Sequence, residues 1–453
     1  MILRVLSFVL LVGSFEMDGV SQKASVLDGY VEEALSNNLV FRGLDLSHQT
    51  QAIRVDLAKK NWNPQVNLGT TYLLAQGGRR ISFPAGDFFN PAYITLNELT
   101  NSDRFPTDIE NIETQLTPNN FLDANLNITK PLLNSAIKYN ILIQKELLSM
   151  ADIDKKEQAA EIGFQVRQTY YSYLKTVQGV KLVDQNLKLL YEVKKFNEKL
   201  IKYDKATPDA VSDVNFEIQN LISQKQSLEQ QQELSKILLN TLLNRDLSEE
   251  IVVDESIIVP VLDQRELSEL ISVAISERQE LKKIDMAERI HEINTERIKD
   301  SNQPTLGVQG GVGIQAENFS FEDNGPLVSL ALNLGWNIWD GGIKKKNLQE
   351  LALAKEQTAW QKDIASQQIS LEVAQAFYEL QGLKSRYEAE SEAINSARIS
   401  YSAVDKRYRN DSALLIELLT AQNRLLSAEL NQVVLSIDIL IAQAKIKKVI
   451  HEE

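Results

Sequence analysis

Pro64-Gln65-Val66-Asn67-Leu68-Gly69-Thr70-Thr71-Tyr72-Leu73-Leu74 and Pro304-Thr305-Leu306-Gly307-Val308-Gln309-Gly310-Gly311-Val312-Gly313-Ile314-Gln315 lie 240 residues apart and share one design. A helical pattern stops before each proline, as the steric restriction on the preceding residue favours. The period then changes to two. Val66, Leu68, Thr70, Tyr72 and Leu74 fall on one side of an extended chain, and Gln65, Asn67, Gly69 and Thr71 on the other. In the second stretch Leu306, Val308, Val312 and Ile314 oppose Gly307, Gln309, Gly311, Gly313 and Gln315. Half-apolar strands of about ten residues have the length and pattern of transmembrane β-strands. The likeness spreads outward. Residues 27–72 align without a gap onto 267–312, with Leu27 on Leu267, Ala34 on Ala274, Ser36 on Ser276 and Asp45 on Asp285. Residues 126–174 align onto 332–380 at an offset of 206, with Ile137-Lys138 on Ile343-Lys344 and Tyr171 on Phe377. The fall from 240 to 206 means that one connection is 34 residues longer in the first copy. Two copies of a helix–hairpin–helix unit call for a repeat architecture.

Helical patterns flank each hairpin. Residues 34–61 and 274–301 read as entering helices. Returning strands place Ala124, Leu126 and Ile128 against Asn125, Asn127 and Thr129, and Val328, Leu330, Leu332, Leu334, Trp336 and Ile338 against Ser329, Ala331, Asn333, Gly335 and Asn337. The connection 76–123 is rich in Asn, Pro, Asp and Phe and reads as a long loop; its counterpart, 316–326, is short. Each returning strand gives way to a very long helix, Ser135 to Lys202 and Gly342 to Arg407. The second has a seam from Ile369 through Val373, Ala376, Leu380 and Tyr387 to Tyr408, stepping by four and three as coiled coils do. Breaks at Asp204–Asp209 and Arg409–Ser412 precede return helices that run to Asn244 and Lys447. A helix of about 67 residues spans roughly 100 Å, nearly the sum of an entering and a return helix. The economical packing stacks those two end to end beside the long one. The expected organisation is a signal segment (1–21), a first repeat (22–245, hairpin 65–130), a connecting segment (246–265) and a second repeat (266–453, hairpin 305–338). Ile251-Val252-Val253 and Ile257-Ile258-Val259 could add one or two short strands between the repeats.

Composition narrows the function classes. The chain of 453 residues has 10 prolines, 19 glycines and 24% charged residues, which suits long helices. Its formal net charge of −14 argues against a nucleic-acid partner, because phosphate binding needs a basic surface. With no cysteine there are no disulfides and no lipid-modified N-terminal cysteine. His48, His291 and His451 are far apart, and no His/Asp/Glu spacing points to a metal or catalytic site, so no cofactor is expected. Met1 to Arg4, the apolar run Val5–Val12 and Gly19-Val20-Ser21 read as an export signal cut after Ser21. Beyond it, no run is expected to reach the 18 or more apolar residues of a membrane-spanning helix.

Four strands cannot close, and an open sheet edge cannot sit in lipid, so a membrane barrel must come from several chains. Two chains would supply eight strands and three would supply twelve. Several features together resemble the TolC family of outer-membrane efflux proteins, over essentially the whole mature chain. They are the duplicated unit, Pro64 and Pro304, Lys130-Pro131-Leu132 and Trp339-Asp340-Gly341-Gly342 where strands pass into helices, and the tip Tyr408 … Leu415-Ile416-Glu417-Leu418-Leu419-Thr420-Ala421-Gln422. Asn337 stands where the first copy has Pro131. The resemblance implies an α+β chain and a homotrimer. Three chains would form a twelve-stranded β-barrel in outer-membrane lipid and a trimeric periplasmic α-barrel of antiparallel coiled-coil helices. A periplasmic adaptor (membrane fusion) protein and an inner-membrane transporter would dock at its closed tip. The implied function is the passive exit duct of a tripartite efflux or secretion system.

Pro64, Pro131, Pro304, Gly341 and Gly342 are the residues expected to shape the barrel–helix junction, glycine because it reaches the dihedrals that such a turn requires. Trp336 and Trp339 fit either an interfacial girdle or junction packing. At the tip, the resemblance assigns Asp213 to the outer-helix acid that holds the entrance shut and Tyr408 to the tyrosine that hydrogen-bonds to it. Glu417 and Thr420 fall where paired acids ring the constriction, and Ala413 where an arginine ties to the outer-helix acid. Thr420 and Ala413 depart from that pattern, which implies one acidic ring and a weaker lock, with Arg407 or Arg409 as substitutes. Tyr203, at the first break, completes the gate candidates. The bland alternative is that Asp213 and Glu417 are solvated acids favoured by the positive ends of their helices. Two other function classes compete. A periplasmic or peripheral coiled-coil adaptor or scaffold leaves four alternating strands unexplained. An enzyme needs a nucleophile–base or acid pair that the sequence lacks.

Overall fold

The computed structural model describes residues 26–116, 119–254, 265–320 and 325–452. The expected export signal and the run 257–259 lie outside the described residues, and 251–254 carry no strand. The first copy contributes α1 (Val26–Asn37), α2 (Leu39–Lys60), β1 (Gln65–Leu74), β2 (Arg80–Phe83), α3 (Ala85–Thr100), β3 (Ile112–Gln115), β4 (Asn120–Leu133), α4 (Ser135–Lys202) and α5 (Pro208–Leu243). The second contributes α6 (Leu267–Glu277), α7 (Gln279–Lys299), β5 (Thr305–Glu317), β6 (Leu327–Gly335), α8 (Ile343–Arg409) and α9 (Leu415–Val449).

The chain divides into two compact units that cut across the repeats. One takes Met1–Ser47, Ala151–Lys283 and Gln361–Glu453; the other takes His48–Met150 and Ile284–Trp360. The second unit holds an antiparallel four-stranded sheet in the order β1-β4-β5-β6. The copies meet at its centre, where Asn125 pairs with Gly313 and Asn127 with Gly311. β1 and β6 are its edges. The even face of β1 and β6 is apolar and open, with Leu68 75%, Leu330 79% and Leu332 70% exposed. The odd face is an amide row laid over glycines. Asn127 Nδ2 donates to Asn125 Oδ1 at 2.6 Å. A Cβ on Gly311 would lie 2.8 Å from Asn127 Oδ1 and 3.0 Å from Ser329 Oγ, so a side chain there would displace the row.

Several expectations need correction. Each entering helix is two helices, broken at Asn38 and at Arg278. The connection 76–123 is not a loop: it holds α3 and a ribbon in which Arg80 pairs with Gln115 and Phe83 with Ile112. Asparagine side chains do the work that regular structure would otherwise do there. Asn90 bonds both the N–H and the carbonyl of Ile109, and Asn97 does the same for Phe105. β4 runs on through Pro131 to Leu133 with a register shift between them. Proline is tolerated there because β1 stops pairing at Thr129, so Pro131 has a strand partner on one side only. β6 ends at Gly335, short of Trp336 and Ile338. Lastly, α9 is long and apolar enough to cross a membrane, with a mean hydropathy of 1.6 over its most apolar window. The reason is packing on several sides: Leu435, Ile437 and Ile439 are all buried within the first unit.

Two apolar cores of that unit lie among the described residues. One surrounds Tyr30, Ala34, Ile162, Val166, Leu239 and Ile437. The other, near the helix turns, joins Leu190 and Val193 of α4, Val214 and Ile218 of α5, Val404 and Tyr408 of α8, and Leu418 and Leu426 of α9.

Candidate gate at the helix turns

Both turns between long and return helices are built alike. Asp204 and Asp411 adopt left-handed φ values of 58° and 56°. After α4, Lys205 N–H bonds Leu200 O and Asp204 N–H bonds Ile201 O; after α8, Ser412 N–H bonds Arg407 O and Asp411 N–H bonds Tyr408 O. This paired capping of the last carbonyls ends a helix abruptly and reverses the chain. Lys205 approaches Asp411 at 3.9 Å across the two turns.

Tyr408 is buried and meets Phe196 edge-on at 5.9 Å. Its hydroxyl donates to Asn197 Oδ1 at 2.7 Å. Asn197, 1% exposed, spends its own amide on Val193 O at 2.9 Å. Within one chain Asp213 is therefore not the partner of Tyr408; it is exposed on α5. The pairing is uncharged, and burial pushes the Tyr408 hydroxyl above its ordinary range, which keeps it protonated as a donor. Asn197 was not singled out by sequence, although an asparagine inside the apolar pattern of α4 is the signal that could have found it. A second bridge runs from Asn423 Nδ2 to Glu217 Oε2 at 3.2 Å.

The remaining candidates are dispersed. Glu417 accepts from Arg407 Nη2 at 3.4 Å, an exposed pair of the kind worth about 0–1 kcal/mol. Arg409 binds Asp405 instead. Thr420 Oγ1 donates to Ile416 O of its own helix at 2.6 Å. Tyr203 is 76% exposed. Gln422 is buried, and neither end of its amide has a hydrogen-bond partner among the described residues.

At the junction, Pro64 and Pro304 each stand one residue before a strand. Gly341 and Gly342 take φ values of +66° and +88°, which side chains rarely adopt. Asp340 caps α8, its carboxylate accepting the N–H of Gly342 at 2.9 Å and of Lys344 at 2.8 Å. Asn134 is its counterpart, accepting the N–H of Ala136 at 3.0 Å and of Ile137 at 3.3 Å. Trp336 donates from Nε1 to Asn302 O at 2.9 Å. Among the described residues there is no group of three or more His, Cys, Asp or Glu able to hold a metal ion.

Residues 270–450 match the outer membrane efflux protein family. The match covers the second repeat, less than half of the chain. Solved structures extend the likeness over both repeats. CusC is 14% identical with a TM-score of 0.73, covering 96% of this chain and 96% of that one. VceC of Vibrio cholerae is 14% identical with a TM-score of 0.72, covering 94% and 96%. The open state of the Neisseria gonorrhoeae MtrE channel is 16% identical with a TM-score of 0.72, covering 100% and 98%. No curated protein sequence matches the chain. The fold is that of these channels, helix-rich and α+β, and the matched family is one of outer membrane efflux proteins. The likeness to outer membrane efflux proteins and to outer-membrane channels supports an outer-membrane location with a large periplasmic part.

Proposed function

We propose that three copies of this chain close a twelve-stranded barrel and form the exit duct of a tripartite pump, shut at the helix turns by contacts between the two coils of each chain. The observation that carries this reading is the sheet. It has one exposed apolar face and two unpaired edges, and a β-structure in lipid must satisfy its edges by closure. A row on α8 supports association: Leu353, Trp360, Ile364, Leu371 and Tyr378 are 68%, 63%, 64%, 52% and 65% exposed at heptad-like spacing. The TolC family, which the chain resembles, uses three copies with a periplasmic adaptor and an inner-membrane transporter. Energy comes from that transporter. In this duct Tyr408 and Asn197 replace the tyrosine–acid lock, and Glu417, matched to Arg407 on its own chain, gives a weaker acidic ring than an unpaired carboxylate would.

Extracted from outer membranes in detergent, the protein should sediment as a trimer and form channels of small conductance in planar bilayers. Leu332→Arg places a charge on the apolar face, costs about 2–4 kcal/mol at the bilayer midplane, and should abolish insertion. Asn333→Arg on the opposite face should be tolerated. A monomer without conductance, or equal tolerance at both positions, overturns the barrel. Tyr408→Phe leaves Asn197 Oδ1 buried without a donor, at a cost of about 1–3 kcal/mol, and should raise the resting conductance. If only Asp213→Ala does so, the lock is the tyrosine–acid one after all.

A further inference from the structure

From the geometry of one cavity we infer that the chain binds a small amphipathic organic anion at a site apart from the duct and its gate. The cavity, about 560 Å³, lies within the first unit between α1, α4 and the end of α9. Its floor is apolar: Val31 and Leu35 of α1, Ala160, Gly163 and Phe164 of α4, and Ala444 of α9. Its rim holds four cations, Lys156, Arg167, Lys447 and Lys448, against one acid, Glu452. That is a local excess of positive charge in a chain whose net charge is −14.

The ion pairs sort these charges. Arg167 faces Asp28 at 3.8 Å, Lys448 is bound by Glu161, and Glu452 is taken by Arg265 at 2.6 Å. Lys156 and Lys447 have no ion-pair partner among the described residues, and both are exposed at the rim. Lys448 also lies over the Phe164 ring, 4.9 Å from its centroid, which orients that ring at the cavity wall. Two free ammonium groups above an apolar floor complement a ligand with one anionic head, a carboxylate or sulfonate, and a compact aromatic or aliphatic body. Ligand sites have this character: apolar lining, with a few polar groups that fix orientation. The floor is open because Gly163 is there. A Cβ at that position would meet Val31 Cγ1 at 3.6 Å and Arg167 Nη1 at 3.1 Å, so any longer side chain would enter the space.

The test is calorimetric titration of the whole assembled protein in lipid nanodiscs with three probes. 2-Naphthalenesulfonate has both body and charge, 2-naphthylmethylammonium has the body with the opposite charge, and sodium sulfate has the charge alone. The expected result is saturable binding of the first probe only, one per chain. Lys156→Glu with Lys447→Glu should weaken it about tenfold or more by placing like charge at the head, and Ala160→Leu should weaken it by filling the floor. Both variants lie outside the turns, so oligomeric state and bilayer conductance should be unchanged and report folding independently. Equal binding of the cationic probe, binding unchanged in properly assembled variants, or no saturable binding overturns the site.

Discussion

The two copies break their entering helices at equivalent positions, and they use different chemistry to do it. Asn38 and Arg278 are 240 residues apart, in register with the repeat. Asn38 works alone. Its Oδ1 accepts the N–H groups of Val40 and Phe41, capping α2, while its Nδ2 donates to Leu242 O near the end of α5. Arg278 has no acceptor, so the two tasks are divided. Its guanidinium donates to Val449 O at the end of α9, the matching carbonyl. It also binds both oxygens of Glu280 and reaches Glu372 at 3.0 Å. Glu280 supplies the acidic group in the first turn of α7, where negative charge is favoured by the unpaired N–H groups of the helix start. The lesson is that the repeat conserves a geometric need, a donor to the end of the return helix and an acceptor for the next helix start. A neutral residue meets that need in one copy and an ion cluster in the other.

That difference can be broken experimentally. The largest effect is expected from Arg278→Ala, which strands Glu280 and Glu372 and removes the donor to Val449 O. Losing one partner of a fully buried pair costs about 3–5 kcal/mol, and the partial exposure of both glutamates lowers this to about 2–4. Hydrogen exchange in α6, α7 and the end of α9 should accelerate, while α1 and α2 stay protected. Uniform acceleration in both copies would mean that the breaks are not independent. Next comes Asn38→Ala, which loses a cap worth about 1 kcal/mol and a bond of similar size, with faster exchange confined to α1, α2 and the end of α5. Asn38→Asp, keeping the acceptor but not the donor, should recover the cap alone.

The smallest effect is a difference in pH response. Burial alone would raise the Glu280 carboxyl, but the hydrogen bond and charge of Arg278 outweigh it and hold the group below its ordinary value of 4.5. A depressed carboxyl contributes stability that is present above its unfolded value and lost as pH falls through the folded one. His451, beside this cluster, is held below its ordinary 6.5, chiefly by burial. Being harder to charge when folded, it subtracts stability as pH falls from 6.5. Both act in one direction. Protection of α6 and α7, corrected for intrinsic exchange, should decline from about pH 6.5 downward and more steeply below about 4.5, while α1 and α2, joined by a neutral amide, change little. Parallel decline in both copies would contradict the division of chemistry.

Much of this molecule was legible in order along the chain. The strands of the sheet, the span of α4 from Ser135 to Lys202 and the turns at Asp204 and Asp411 follow from period, proline and helix-end chemistry, which act over a few residues. Neither helix break was read from the sequence: the helical pattern runs through both, and the partners that fix them, Leu242 for Asn38 and Glu372 and Val449 for Arg278, lie far along the chain. The insert between β1 and β4 was hidden for the same reason. Asn, Pro and Asp suggested a loop, yet Asn90 and Asn97 serve as substitutes for a strand partner once the 101–111 segment lies against α3.

The sequence by itself therefore determined the strands of the four-stranded sheet, the long helices, the duplication and the face each of those strands presents, since these depend on local sterics and on the spacing of apolar side chains. Only the tertiary structure decided which polar group meets which. Asn197, not Asp213, receives the Tyr408 hydroxyl, and Glu417 meets Arg407 within the chain. A hydrogen bond needs its two atoms within about 3 Å, a tolerance set by how helices pack and rotate against one another. Periodicity fixes a face to about 100°, which leaves several residues on each helix able to serve as the partner.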